Sequence, residues 1–189
     1  MGTDAPAPSE GGGPDQPVGA PATPLHLVVM GVSAAGKTTV AQEINKVLQW
    51  DFAEGDDFHP QSNVNKMASG VPLDDEDRWP WLEALAEWIR EHDAAGRSTM
   101  MTCSALKRSY RDVLRRGSGG TFFVHLTGDK ELLQQRMARR GGHFMPAALL
   151  DSQLATLQDL APDEPGQAFD VSGTPEQIAA EVLRALNLA

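Results

Sequence analysis

Short apolar runs alternate with longer segments of helical periodicity along most of this chain. The runs are rich in β-branched, aromatic, Met or Leu residues, which is typical of buried strands. They cover residues 25–30, 50–53, 99–103, 121–126 and, less strongly, 168–171. Segments that follow them predict helices over residues 37–48, 80–92, 107–116, 129–140 and 146–158, with a last helix opened by residues 174–177. Strands that alternate with helices predict an α/β fold of three layers, with a five-stranded parallel sheet between helices.

The first 24 residues differ in composition from the rest. Pro, Gly and Ala dominate there, with Val18 as the one large aliphatic residue. Such a segment cannot bury enough apolar surface to offset its ordering entropy. We therefore expect a disordered N-terminal tail over residues 1–24 and one folded domain over residues 25–189.

Net charge, cysteine content and the lengths of the apolar runs argue against several classes of protein. The formal net charge is −10, which disfavours a protein that wraps nucleic acid or an anionic membrane. Cys103 is the one cysteine, so an intramolecular disulfide is excluded. No apolar run approaches the ~20 residues that span a bilayer, and no secretory signal is visible, so we expect a reducing cytoplasm.

The strongest local signal is a phosphate-binding loop between the first strand and the first helix. Gly31-Val32-Ser33-Ala34-Ala35-Gly36-Lys37-Thr38 matches G-x-x-x-x-G-K-[ST], and Thr39 follows it. The glycines allow backbone N–H groups to point at a phosphate, and the helix adds its positive N-terminal end. Lys37 can reach the outer phosphates, and the Thr38 hydroxyl can bind Mg²⁺. The loop therefore predicts a bound nucleotide, with Mg²⁺ at Thr38.

The remaining strands favour a small-molecule kinase. Neither residues 100–103 nor residues 122–126 end in the Asp that many P-loop ATPases and GTPases use, and no guanine-reading N-K-x-D is present. An acidic segment follows the second strand instead, with Glu54 and Asp56 on either side of Gly55. At the carboxyl edge of a parallel sheet, Asp56 can accept the proton of an attacking hydroxyl. The alternative is an acidic turn without chemistry.

Basic side chains follow in three places. Arg78 stands within an acidic run, as expected of a donor to an anionic substrate. Ser104 and Lys107 follow the third strand, and Lys107 and Arg111 are four residues apart, so one helix face could bind an anion or simply be basic. Arg136 and Arg140 precede Gly141, which predicts a lid that neutralises charge over the phosphates; a plain helix C-terminus is the alternative.

Taken together, these motifs resemble the gluconokinase family of small P-loop carbohydrate kinases. The matching segments are GVSAAGKTTVA, EGDDFHPQSNVNKMASGVPLDDEDRWPWL, CSALKRSYRDVLR and RRGGHFMPAALLDSQLATLQ, which span roughly residues 25–160. The resemblance implies ATP-dependent phosphorylation of D-gluconate at its 6-hydroxyl, and a homodimer. Two positions depart from the family pattern. Ala34 replaces a usual Gly and fits if its backbone angle φ is negative, and Glu54 replaces the first Asp of Asp-Gly-Asp.

The resemblance also implies roles for individual residues. Lys37, Asp56, Arg136 and Arg140 are the expected catalytic residues. The residues expected to bind the nucleotide are Gly31, Ser33, Ala34, Ala35, Gly36, Lys37, Thr38, Thr39, Arg136 and Arg140. The metal is expected at Thr38 and Glu54. Gluconate is expected at Asp56, His59, Lys66, Arg78, Ser104, Lys107, Tyr110, Arg111, His143 and Gln153. The alternatives are another small-molecule kinase, such as a shikimate-like enzyme, and a regulatory ATP-binding module without acceptor chemistry.

Overall fold

A five-stranded sheet with all strands parallel organises the chain, which confirms the predicted fold class. The computed structural model describes residues 23–139 and 147–188. The predicted tail lies outside this part of the chain, except for residues 23 and 24. The strands are β1 (His26–Met30), β2 (Asp51–Glu54), β3 (Thr99–Thr102), β4 (Thr121–Thr127) and β5 (Gly166–Asp170). Their order across the sheet is β2-β3-β1-β4-β5.

Seven α-helices lie in the described ranges. They are α1 (Lys37–Leu48), α2 (Gln61–Ala68), α3 (Asp75–Ala94), α4 (Arg108–Arg115), α5 (Lys130–Arg139), α6 (Ala147–Thr156) and α7 (Pro175–Ala185). Helix α3 begins five residues before the predicted start, because Asp74 and Asp77 form a capping box there. The capping box predicted from Thr174 and Gln177 opens α7. Helix α2 and a short 3-10 helix, Gly55–Phe58, were missed by the sequence pattern.

Successive residues of the central strands enter two separate hydrophobic cores. In β1, Val29 packs in the core that also holds residues of α1 and α7. Its neighbour Val28 packs on the other face, in the core that holds residues of α3 and α4. Since both faces are covered, the central strands read as continuous apolar runs rather than as alternating ones.

The carboxyl ends of β1, β2 and β3 meet at one edge of the sheet. Residue Val29 is in register with Thr102 on β3, and Thr102 is in register with Glu54 on β2. The phosphate loop, the acidic segment and the residues after β3 therefore leave the sheet side by side. No helix in residues 23–139 or 147–188 is long and apolar enough to cross a membrane.

Candidate active site

The loop between β1 and α1 depends on three positive φ angles. Gly31 has φ of +143°, and a Cβ there would lie 2.7 Å from the carbonyl oxygen of Leu126. Gly36, the N-cap of α1, has φ of +87°. Ala34 has φ of +65°, so the condition that its φ be negative is not met. The loop holds Ala34 in the left-handed region that glycine occupies at lower cost.

Lys37 and Thr38 stand at the start of α1, where the nucleotide is expected. The Lys37 ammonium donates to the carbonyl of Val32, at 3.1 Å, and so lies along the loop. The Thr38 hydroxyl donates to the Glu54 carboxylate at 3.3 Å. These two oxygens are the hard donors that Mg²⁺ accepts, together with phosphate oxygens. No group of three or more His, Cys, Asp or Glu in the described ranges makes a metal site by itself.

Thr102 is a residue of this site that the sequence did not reveal. Its hydroxyl donates to the Glu54 carboxylate and accepts from the backbone N–H of Gly55 at 3.4 Å. The side chain is buried, with 4% exposed. Thr102 therefore fixes the direction in which Glu54 faces Thr38. A hydroxyl at the end of a buried strand is the one local signal that could have indicated it.

Asp56 and His59 lie on the acceptor side of the loop. The Asp56 side chain is 92% exposed, and its carboxylate lies 4.0 Å from Nε2 of His59. The His59 ring stacks on Trp81 at 4.2 Å between centroids, and Nδ1 contacts the Asn63 amide at 3.3 Å. Burial lowers the pKa of His59, Asp56 raises it and Arg78 lowers it further, with a net decrease. An exposed carboxylate beside a fixed, neutral imidazole can accept a hydroxyl proton.

A second cluster surrounds Asp75 at the first turn of α3. Lys107 donates to the Asp75 carboxylate at 2.9 Å, and the Tyr110 hydroxyl donates to the same oxygen. Hydrogen bonds from Tyr110 and Lys107 lower the pKa of Asp75. The Arg78 guanidinium lies 5.7 Å from the centre of the Tyr110 ring. The structure thus brings Arg78, Lys107 and Tyr110 together around Asp75.

Lys66 is ion-paired with the N-terminal end of α3. Its ammonium donates to the Asp77 carboxylate and lies 3.6 Å from that of Asp74. The hydrogen bond to Asp77 raises the pKa of Lys66, which therefore stays charged. Lys66 links α2 to the capping box of α3.

The position of Arg111 corrects the expectation that it binds the acceptor. Its side chain is fully buried, and Nε donates to Glu164 at 2.6 Å. The same guanidinium donates to the backbone carbonyls of Ala105 and Gln158, both at 3.0 Å. With its side chain buried and its donors used inside the protein, Arg111 is not available to an acceptor. Lys107 and Arg111 share no anion site.

Two further residues contact the phosphate loop through its backbone. Gln153, on α6, was expected at the acceptor, but its side-chain oxygen accepts from the N–H of Ser33 at 2.6 Å. Its side chain thus lies on the nucleotide loop, which corrects that expectation. The carbonyl of Ser104 accepts from the N–H of Gly31 at 3.3 Å.

A cavity of about 310 Å³ opens beside the phosphate loop. Arg136 lies in its wall and donates to the carbonyl of Val171. Pro175 and Ile178 form another part of the wall. Other lining residues are Ala34, Ala35, Gly36, Thr39, Val40 and Arg139. Arg140 and His143, predicted for the lid, lie outside the described residues.

Cys103 directly follows strand β3, at the same sheet edge as the phosphate loop. The thiol is buried, with 2% of the residue exposed, and burial raises its pKa to about 12. Asp56 contributes to this increase in pKa, while Lys37 and Arg78 oppose it. Cys103 is therefore a buried residue with a protonated thiol.

Comparisons with known proteins show the family to which the chain belongs. The family model described as an AAA domain matches residues 27–160. A gluconokinase from Gluconobacter oxydans is 50% identical over 163 residues, which are 85% of this chain and 90% of that protein. The crystal structure of a sugar kinase from Janibacter superposes with a TM-score of 0.82 at 52% identity, over 88% of this chain and 96% of that one. The crystal structure of a gluconokinase from Sinorhizobium meliloti superposes with a TM-score of 0.78 at 45% sequence identity. That match covers 87% of this chain and 92% of the other.

Proposed function

The chain belongs to the gluconokinase family, and from this membership we propose that it transfers the γ-phosphoryl group of ATP to the 6-hydroxyl of D-gluconate. The products are 6-phospho-D-gluconate and ADP. One observation in the structure carries the proposal. Asp56, with its exposed carboxylate, follows β2 at the same edge of the sheet at which the phosphate loop follows β1. A carboxylate in that place is suited to the proton of an attacking hydroxyl.

On the nucleotide side, the loop amides and Lys37 bind the phosphates of ATP. Bound Mg²⁺ supplies charge neutralisation at the phosphates, and Thr38 and Glu54 are the residues that would hold it. Thr102 keeps Glu54 in place. Arg136 lies against the nucleotide cavity, where we assign it and Arg140 to charge stabilisation during transfer.

On the acceptor side, Asp56 takes the proton of the 6-hydroxyl as that oxygen attacks phosphorus. His59 is held by Trp81 and Asn63 and can hydrogen-bond the polyol chain. Ser104, Tyr110 and His143 stay assigned to the acceptor. Lys66 and Lys107 contribute through their ion pairs with Asp77 and Asp75 at the first turn of α3.

We also propose that the protein acts as a homodimer in the cytoplasm, with no nucleic-acid or membrane partner. The family resemblance supports the dimer, and the net charge of −10 supports a small-molecule role. Light scattering coupled to size-exclusion chromatography measures the mass of the protein in solution and so tests the proposed dimer.

The proposed reaction is tested by ADP release from Mg-ATP with a panel of acceptors. The panel holds gluconate, shikimate, glucose, AMP and a control without acceptor. Release that depends on gluconate alone supports the proposal. Release with another acceptor overturns the substrate, and ATP binding without acceptor-dependent release favours the regulatory module.

A further inference from the structure

The four basic residues expected at the acceptor differ in whether a carboxylate already neutralises them. Arg111 is paired with Glu164, and Lys107 with Asp75 at 2.9 Å. Lys66 is paired with Asp77 and lies near Asp74. A cation that already holds a carboxylate must release it, or share its charge, before it binds a second one.

Arg78 is the exception among these four. Its one hydrogen bond among the described residues is to the backbone carbonyl of Leu73, at 3.3 Å. Within the described ranges, no carboxylate oxygen lies within 4.0 Å of its guanidinium. Asp75 is near enough for Arg78 to contribute to its lowered pKa, but Tyr110 and Lys107 hold that carboxylate. The Arg78 charge is therefore not balanced by a direct partner.

Contacts of Arg78 and of its neighbour Asp77 connect it to Tyr110 and to the residues that hold His59. The side chain is half-buried, and its Cζ lies over the Tyr110 ring. The preceding residue, Asp77, accepts through its backbone carbonyl from Asn63 at 2.8 Å, and Asn63 also contacts His59. Arg78 thus leaves α3 beside the residues that fix His59. Its charge acts on His59 and, with Asp56 and Lys37, on Cys103.

We propose that Arg78 binds the carboxylate of the acceptor and thereby selects the sugar acid over a neutral polyol. This inference rests on the proposed gluconate kinase function. A guanidinium presents two parallel N–H donors that match a carboxylate, which an ammonium cannot do.

The test compares Arg78→Gln, Arg78→Lys and the wild type with gluconate and with D-gluconamide, whose amide is neutral. We expect Arg78→Gln to lower kcat/KM for gluconate about 100-fold or more, with the KM for ATP within about threefold of wild type. Its kcat/KM values for acid and amide should differ by about threefold or less. Arg78→Lys should restore part of the preference for the acid, because lysine keeps the positive charge but lacks the two parallel N–H donors of a guanidinium.

Three further variants serve as comparisons. Arg90→Gln changes the same residue type on the same helix, where Arg90 pairs with Glu87 on the surface, and should leave all parameters at wild-type values. Lys66→Gln and Lys107→Gln remove cations that carboxylates already hold, so the preference for acid over amide should persist.

Two results would overturn the inference while leaving the function intact. One is an Arg78→Gln enzyme that keeps its kcat/KM for gluconate. The other is a variant whose gluconate and ATP parameters fall together, which would mark Arg78 as structural. A wild-type enzyme that releases no ADP with gluconate would overturn the proposed function, and this inference with it.

Discussion

Arg111 and Glu164 form an ion pair in which both side chains are fully buried. Arg111 donates through Nε at 2.6 Å and through Nη2 at 2.9 Å, so both carboxylate oxygens are used. The N–H of Ala161 donates to the same carboxylate. The pair therefore fastens the segment before β5 to α4.

Removing one partner of this pair should be costly for stability. Arg111→Met leaves the Glu164 carboxylate buried without its cation, which lowers the free energy of unfolding by about 3–5 kcal/mol. Urea unfolding at neutral pH measures this. The double variant Arg111→Met with Glu164→Met should recover much of the loss, because no unpaired charge remains.

Arg108→Met is the matched control. Arg108 lies on the same helix as Arg111, but its ion pair with Asp163 is exposed. It should change stability little. If Arg108→Met and Arg111→Met lowered the free energy of unfolding equally, burial of the Arg111–Glu164 pair would not explain the loss.

Asp56→Asn should impair turnover far more than nucleotide binding. The amide keeps the size of the side chain but cannot take the proton, so we expect kcat to fall about 10²–10⁴-fold. The Kd for ATP, measured by calorimetry, should stay near the wild-type value. Asp57→Asn, the exposed neighbour, should keep kcat within about threefold. Near-normal turnover by Asp56→Asn would disprove its role as the base.

Ala34→Gly should raise the free energy of unfolding by up to about 1 kcal/mol, because glycine adopts a φ of +65° with less strain. The gain is limited by the greater entropy of glycine in the unfolded chain. Ala35→Gly, next to it, should lower the free energy of unfolding by about 1 kcal/mol, since its φ is not positive and its buried methyl is lost. Thermal unfolding of both variants checks the opposite signs, and losses of equal size would refute the assignment of strain to Ala34.

His125 should make the protein sensitive to mild acid. The residue is 2% exposed, and its Nε2 has no hydrogen-bond partner in the described ranges. Burial lowers its pKa from the usual 6.5, an effect that Asp159 opposes and Arg111 reinforces. The folded state therefore binds fewer protons than the unfolded state, and stability falls as the pH drops below about 6.5.

His125→Leu removes this dependence at one site. Between pH 6.5 and 5.0, the free energy of unfolding should fall less steeply in the variant than in the wild type. His26 and His59, whose pKa values burial also lowers, keep part of the slope. Parallel pH profiles for variant and wild type would exclude His125 as a source of acid sensitivity.

The elements and the phosphate loop could be predicted because both depend on neighbours in the chain. Strand runs, capping residues and the G-x-x-x-x-G-K-T spacing are local signals. Helix α2 gave no such signal, since Asn63 is its one buried residue and no apolar stripe marks it. The order of strands across the sheet was also not encoded locally.

The errors in the site came from contacts that are distant in sequence. Arg111 meets a carboxylate 53 residues away, and Gln153 meets a loop amide 120 residues away. The spacing of Lys107 and Arg111 was misleading for a different reason. Lys107 is the N-cap of α4, with extended backbone angles, so the two side chains do not share a helix face.

The most direct test of the account identifies the product of the full-length protein with Mg-ATP and D-gluconate. Carbon and phosphorus NMR of the reaction mixture shows which carbon carries the phosphate. The account predicts one phosphomonoester, with phosphorus coupled to C6, and an equal amount of ADP. A phosphate on another carbon, or ADP formed without a phosphorylated sugar acid, would contradict it.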